Sequence, residues 1–434
     1  MTARAFRGEI LTVPEDPMAA GPEAIRHWPD GLLVVEDGIV ARCGAFEPEH
    51  ARGLSVERLP GLIVPGFVDT HIHYPQTECI ASHGEQLLHW LERHIFPAEA
   101  AFADRGHSDR VAAFFLDELL RNGTTSALVF ATVHADSVDA LFEAALARDM
   151  RIISGKTLMD RGPPGLHDDV ESGRGESEAL IARWRGRGRL GYAVTPRFAL
   201  TSSDAQLESA GLMLAEHPNT LMHSHLAENG SEVAAVRVRF PDERHYLDVY
   251  DRYGLVGPRS VFAHCIHMDD RAMRRMGEAG AGIAFCPTSN LFLGSGLFDL
   301  SHADRFGVRV GIGTDVGAGT SFSILQTLGD AYKVCQLRGV TLDPFRALYL
   351  ATAGGARMLG IGERVGALSP GQEADFILLD PASTPLLARR TGAAALAERL
   401  FALQILGDDR AIAGTYLRGR IAHRRDAPML ETPR

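Results

Sequence analysis

A chain of 434 residues with 45% hydrophobic content can bury more than one compact core needs, so a large domain with a smaller companion is expected. Its formal net charge of -11 argues against the basic surface that nucleic acid or anionic membrane requires, and favours a small, roughly neutral partner. The five cysteines (Cys43, Cys79, Cys265, Cys286 and Cys335) are scattered without a CxxC, which suits free thiols in the cytoplasm, while "MTARAFRGEILTVPED" has no signal-like core and no run reaches the roughly 18 apolar residues of a membrane span.

In chain order, "FRGEILTV" and "GLLVVEDGIVARCG" are short strands separated by turn residues, with no helical pattern joining them. From Leu62 the pattern changes, and short apolar runs alternate with helix-period segments. The runs are "LIVPGFVDTHIH", "SALVFATVH", "RIISGKTLMD", "LGYAVTPRF", "TLMHSHLAE", "SVFAHCIH", "AGIAFCPTSN" and "VRVGIGTDVG". Between them, "SDRVAAFFLDELLRNG" repeats apolar positions three and four apart and stops at Asn122-Gly123; "SVDALFEAALARD", "SDAQLESAGLMLAEHP" and "DRAMRRMGEAG" read similarly. Ser82 and Glu85 form an SxxE capping box ahead of "LLHWL".

Eight alternations over about 300 residues predict an α/β fold of the (β/α)8 barrel type, because parallel strands need crossover helices and eight of them close a sheet. An open doubly wound sheet is the competing architecture. The stretch Arg161 to Glu178, "RGPPGLHDDVESGRGESE", is polar and rich in glycine and proline, and reads as a mobile loop over the barrel mouth or as a solvated insertion. Towards the C-terminus "EADFILLDP" and "GTYLRGRIAHRR" return to short strands, with a helical stretch near "GAAALAERLFALQIL". The expected organisation is therefore a barrel over 66–365 and a smaller β-sandwich domain built from both chain ends, 1–65 and 366–434.

A barrel of this type carries its active site at the C-terminal ends of its strands, so the residues closing each apolar run matter most. The first run ends in His71 and His73, the fifth in His223, His225 and Glu228, the sixth in His264 and the eighth in Asp315. Positions i and i+2 of a strand share a face, so His71 and His73 can offer imidazole nitrogens to one metal. Joined by a third histidine and an aspartate at equivalent heights they make a His3Asp site, with ligands suited to zinc or ferrous iron.

Of the second HxH pair, His225 lies nearer the strand end and is the expected ligand, and His223 reads as a satisfied inner-barrel histidine. His264 is assigned a hydrogen-bonding or proton-shuttling role, with a core histidine as the alternative. "GIGTDVGAG" is not a dinucleotide loop, because Gly317 falls one position too late for GxGxxG; its glycines are expected to turn the backbone around the metal site. Cys265 and Cys286 read as buried strand thiols.

These residues resemble the amidohydrolase superfamily and, within it, the guanine deaminase family. The resemblance is carried by "PGFVDTHIHYPQ", "GEQLLHWLERHIFPAE", "LLRNGTTSALVF", "TPRFA", "HSHLAEN", "VFAHC", "FCPTSNLFLGSGLF" and "GTDVGAGTSFSILQTL", and covers nearly the whole chain. HxH marks only the superfamily, whereas "HIHYPQ" with "TPRF" and "HLAEN" is more specific. It implies that His71, His73, His225 and Asp315 hold one zinc ion, with iron tolerated by the same ligands. Gln76, Arg197, Phe198, Glu228 and His264 would then shape a guanine pocket, with Glu228, Asp315 and His264 catalytic. The implied reaction is hydrolytic deamination of guanine to xanthine and ammonia by a metal-activated water attacking C2, within purine catabolism and in a homodimer.

Three other readings stay open at this point. Deamination of a pterin, adenine or triazine would change pocket residues and not the metal set. A binuclear cyclic-amide hydrolase needs a carboxylated lysine at the end of the fourth strand, but that strand ends "TPRF" and Lys156 follows the third. A non-catalytic scaffold would be expected to lose ligands, and all four are present. Arg197 itself carries a structural alternative, an ion pair at the strand end.

Overall fold

The computed structural model describes residues 3–84 and 86–426. Eight parallel strands form the larger sheet: β1 (Phe67–His73), β2 (Thr124–Phe130), β3 (Arg151–Gly155), β4 (Gly191–Pro196), β5 (Leu221–Leu226), β6 (Ser260–His264), β7 (Gly282–Phe285) and β8 (Arg309–Ile312). Consecutive strands pair in parallel, and Thr157–Leu158 adds a short pairing beside β4. The seam between β8 and β1 is drawn together just past the end of β8. Thr70 Oγ1 donates to Ile312 O at 2.9 Å, Asp315 N to His71 O at 2.9 Å and His73 N to Val316 O at 3.0 Å. The sheet is thus a nearly closed barrel and not an open doubly wound one.

Helices arise where the apolar period predicted them. Arg105–Arg121 starts at Asp104, whose carboxylate accepts from His107 N at 2.6 Å, and buries Val111, Phe115 and Leu119 against the barrel. It stops at Asn122 because Gly123 takes a φ of +81°, a left-handed conformation that a side chain would strain. Among the described residues no helix is long and apolar enough to cross a membrane.

Seven strands from both chain ends make the second sheet, in the order Arg420–Arg424, Ile412–Leu417, Phe376–Leu379, Val56–Pro65, Ala3–Thr12, Arg26–Glu36, Ile39–Ala45. The expected sandwich is realised as one continuous mixed sheet, in which only Ala3–Thr12 and Val56–Pro65 run parallel. It meets the N-terminal end of the barrel through buried ion pairs. Arg151 Nη2 lies 2.6 Å from Glu373 Oε1, and Arg189 Nη2 lies 2.7 Å from Glu373 Oε2 and also pairs with Asp375.

Three local expectations change. "LIVPGFVD" does not run as one barrel strand: Val56–Pro65 belongs to the second sheet, and β1 begins at Phe67. Gly66 separates them because it packs on Thr125, where an added Cβ would come within 2.2 Å of Oγ1. The second half of Arg161 to Glu178 is helical, within Val170–Trp184, capped by Asp169, whose carboxylate accepts from Ser172 N at 2.8 Å. The seventh strand ends at Phe285, since Pro287 opens the helix Pro287–Phe292. The Ser82–Glu85 capping box involves Glu85, which lies outside the described residues; Leu87–Trp90 begins at Gln86 without a side-chain cap.

Candidate active site

The polar residues that end the apolar runs converge at the C-terminal mouth of the barrel. His71 and His73 leave β1 on one face. Register pairs His225 with Ala263 and Leu226 with His264, so β5 and β6 deliver their imidazoles side by side, stacked at 5.5 Å between ring centroids. The Phe130 ring at the end of β2 braces His73 in a stacked contact at 4.6 Å.

Four donor atoms then crowd together. His73 Nε2 lies 3.2 Å from His71 Nε2 and 3.2 Å from His225 Nε2. Asp315 Oδ1 lies 3.2 Å from His71 Nε2 and 3.4 Å from His73 Nε2. One proton on His73 Nε2 cannot serve three such contacts, and burial holds His71 and His73 well below the usual histidine range, as neutral bases. A single cation would serve them, because a tetrahedral ion with bonds of about 2.1 Å has donor-to-donor edges of about 3.4 Å.

Two of the three outward-facing nitrogens are tied so that their Nε2 atoms point inward, while His73 Nδ1 is buried without a hydrogen-bond partner. His71 Nδ1 meets His223 Nε2 at 2.7 Å, and His225 Nδ1 donates to Arg197 O at 2.8 Å. His264 Nδ1 donates to Asn290 Oδ1 at 2.9 Å, leaving His264 Nε2 buried without a hydrogen-bond partner, 3.4 Å from Glu228 Oε2 and 3.8 Å from Asp315 Oδ2. The donor atoms of His71, His225 and His264 also lie within 4.8 Å of one another, as do those of His71, Cys286 and Asp315. Cys286 fits a ligand role poorly, because its thiol donates to Ala284 O at 3.4 Å and burial raises its pKa, keeping it protonated.

Asp315, beyond the end of β8, and His264, the last residue of β6, both adopt positive φ, +52° and +72°, where each chain segment turns out of its strand. The glycines around Asp315 let this loop lie against β1: an added Cβ on Gly313 would fall 3.0 Å from His71 Cβ, and one on Gly317 would fall 2.5 Å from Gln76 O. Asp69 secures the same joint by accepting from His71 N at 3.2 Å and Thr314 N at 3.1 Å.

Above the imidazoles lies a pocket of about 420 Å³. His73, Gln76, Arg197, Phe198, His225, Glu228, His264 and Asp315 line it together with Leu87, Trp90, Leu91, Leu293 and Ala318, while His71 and His223 sit buried below. Glu228 is buried, and burial with the nearby Asp315 charge pushes its carboxyl up to about 8. Ser295 Oγ donates to Glu228 Oε1 at 3.3 Å, and Glu232 holds the backbone by accepting from Glu228 N at 2.9 Å and Asn229 N at 3.1 Å. Arg197 both lines the pocket and makes the alternative ion pair, its Nη1 2.6 Å from Glu99 Oε2.

Sequence reasoning passed over Asn290, Glu232, Phe130 and Glu99. Asn290 closes the run "AGIAFCPTSN" and Phe130 lies inside "SALVFATVH", and nothing local marks either of them. Glu232 completes a capping box with Asn229 in "ENGSE", a local signal that was available. Glu99 stands on the short helix Phe96–Ala100 in the connection after β1, where no period marks it. Lys156 is engaged elsewhere, donating to Val133 O at 2.5 Å and pairing with Asp168 at 2.8 Å, which takes it out of any lysine-bridged metal pair.

Residues 62–422 match the amidohydrolase family. The chain is 49% identical to the guanine deaminase of Escherichia coli (strain K12) over 98% of its own length and 99% of that protein. The solved structure of the E. coli guanine deaminase superposes with a TM-score of 0.95, covering 98% of this chain and 100% of that one. A guanine deaminase from C. acetobutylicum, solved with guanine in its active site, superposes with a TM-score of 0.90 at 27% identity, covering 97% of this chain and 100% of that one.

Proposed function

The chain belongs to the amidohydrolase family, whose members depend on metal, and from that premise we propose that it hydrolyses guanine to xanthine and ammonia. The observation that carries this reading is a single pocket with a converging imidazole and carboxylate cluster at its floor and the donors of Gln76 and Arg197 at its rim. The assigned ligands are His71, His73, His225 and Asp315, and the assigned ion is zinc, one per chain. When bound there, the ion supplies Lewis-acid activation of a water.

The remaining steps fall to the chain's own residues. Asp315 accepts a proton from the attacking water through the carboxylate oxygen that faces His264. Glu228, whose burial keeps it protonated at neutral pH, gives its proton to the ring nitrogen N3 and so makes C2 electrophilic. The water oxygen bonds to C2, and the bond from C2 to the exocyclic nitrogen breaks as that nitrogen takes the proton held by Asp315 and leaves as ammonia, while the proton of the added hydroxyl restores Glu228 and C2 becomes a carbonyl. His264 Nε2, aimed between Glu228 and Asp315, accepts a hydrogen bond from the hydroxyl added at C2, because the ring proton sits on Nδ1. Gln76 and Arg197 donate to the O6 edge, and Phe198 lies against the ring face.

A cytoplasmic homodimer in purine catabolism completes the reading. The free state of all five cysteines supports the location, and the family resemblance supports the assembly. The test is ammonia release over guanine, adenine, cytosine, a pterin and dihydroorotate, with metal analysis of the same preparation. Guanine should be the preferred substrate with one zinc per chain; activity confined to dihydroorotate, or two metals per chain, overturns the assignment.

A further inference from the structure

Glu99 serves the pocket without lining it or facing the metal cluster. It is 1% exposed, and both of its oxygens are committed to residues of the rim. Oε2 pairs with Arg197 Nη1 at 2.6 Å, and Oε1 accepts from Gln76 Nε2 at 3.1 Å. Gln76 Oε1 is itself occupied, accepting from Gly317 N at 3.2 Å. The amide therefore cannot flip without facing two donors together at one end and two acceptors together at the other. What remains on Gln76 is its second N–H, and one lone pair on the oxygen that faces Gly317 N.

Arg197 is held in the same way. Phe96 and Glu99 stand three residues apart on Phe96–Ala100, and the guanidinium lies 5.5 Å over the Phe96 ring while Glu99 takes Nη1. One short helix thus fixes the plane and the direction of the guanidinium, leaving its other N–H groups for the pocket.

We infer that Glu99 is a positioning residue that sets substrate selectivity, by aligning the amide of Gln76 and the guanidinium of Arg197 as a pair of donors that accept a ring carbonyl and reject a ring amine. A carbonyl oxygen has two lone pairs for two donors, whereas an exocyclic amine presents hydrogens to hydrogens. Glu99 thereby selects 6-oxopurines over 6-aminopurines without touching either. This inference rests on the guanine reading of the pocket.

The test uses hypoxanthine and purine, which differ at the 6-oxo edge and both lack a leaving amine at C2, so that binding is measured without turnover. The metal-loaded protein should bind hypoxanthine at least about tenfold more tightly than purine, the worth of one well-made hydrogen bond. Glu99→Gln should bring that ratio to about twofold or less, with purine affinity and bound metal unchanged. Glu99→Asp keeps the negative charge beside Arg197, so the fold is retained, but its shorter reach loses at least one contact, and its ratio should fall as well.

A purely structural role for Glu99 would weaken both ligands together or release the metal, and either result overturns the inference. So does a ratio that stays at the parent value in Glu99→Asp or Glu99→Gln. Failure to deaminate guanine in the parent protein refutes the proposed function separately, because the binding ratio does not depend on turnover.

Discussion

Replacing Glu228 by glutamine isolates the proton it carries. The amide has nearly the shape of the carboxyl, retains an oxygen for the hydrogen that Ser295 Oγ donates at 3.3 Å, and sits where Glu232 fixes the backbone, so folding should be unaffected. Burial pushes the carboxyl up to about 8, so at pH 7 its protonated form predominates and, in the proposed mechanism, it serves as a general acid without rearrangement. A glutamine donates a hydrogen bond but cannot release the proton. Loss of one positioned general acid costs about 100- to 10,000-fold in kcat, or about 3–5 kcal/mol of barrier. Xanthine formation followed by absorbance, with metal content measured on the same sample, reads both quantities. Glu228→Gln should keep its metal and its melting temperature while kcat falls within that range. A variant that holds its metal and retains more than about a tenth of the parent kcat refutes the proton role, since even the weakest general acid contributes more.

The other predictions concern what holds the site and the barrel. His223→Phe removes the partner of His71 Nδ1 without replacing any assigned ligand, and metal affinity measured by chelator competition should fall about 10- to 100-fold. Arg189→Met leaves the buried Asp375 without its cation at the barrel base and should cost about 3–5 kcal/mol in urea denaturation.

The strand ends were legible because chemistry punctuates them. A barrel strand buried on both faces reads as an unbroken apolar run, so an imidazole or carboxylate at its close stands out, as in "FVDTHIH" and "LMHSH". Boundaries between two apolar strands carry no such mark. Val56–Pro65 and Phe67–His73 read as one run because the break lies in the tight packing of Gly66 on Thr125, which only the folded chain reveals. The helix Val170–Trp184 was obscured by Gly173 and Gly175, residues of low helix propensity. Gly173 is there for space: an added Cβ would lie 2.6 Å from Asp168 Oδ2. Glu99 was invisible for another reason, since its partners Gln76 and Arg197 lie 23 and 98 residues away and no local pattern connects them.

The joint between the first and last barrel strands also bears on how the protein is made. His71 and His73 emerge early in synthesis, His225 midway and Asp315 only with the loop beyond β8, so the set of four donors does not exist until the ring of strands has been joined. Until the loop beyond β8 has emerged, a chain on the ribosome offers a cation at most the three imidazoles of His71, His73 and His225. If these four residues hold the ion as proposed, metal capture by the full set waits on the joining of β8 to β1, and a product truncated before Asp315 or misjoined at that seam lacks the full donor set. In a cell, the fraction of chains holding metal would then report how many had finished folding.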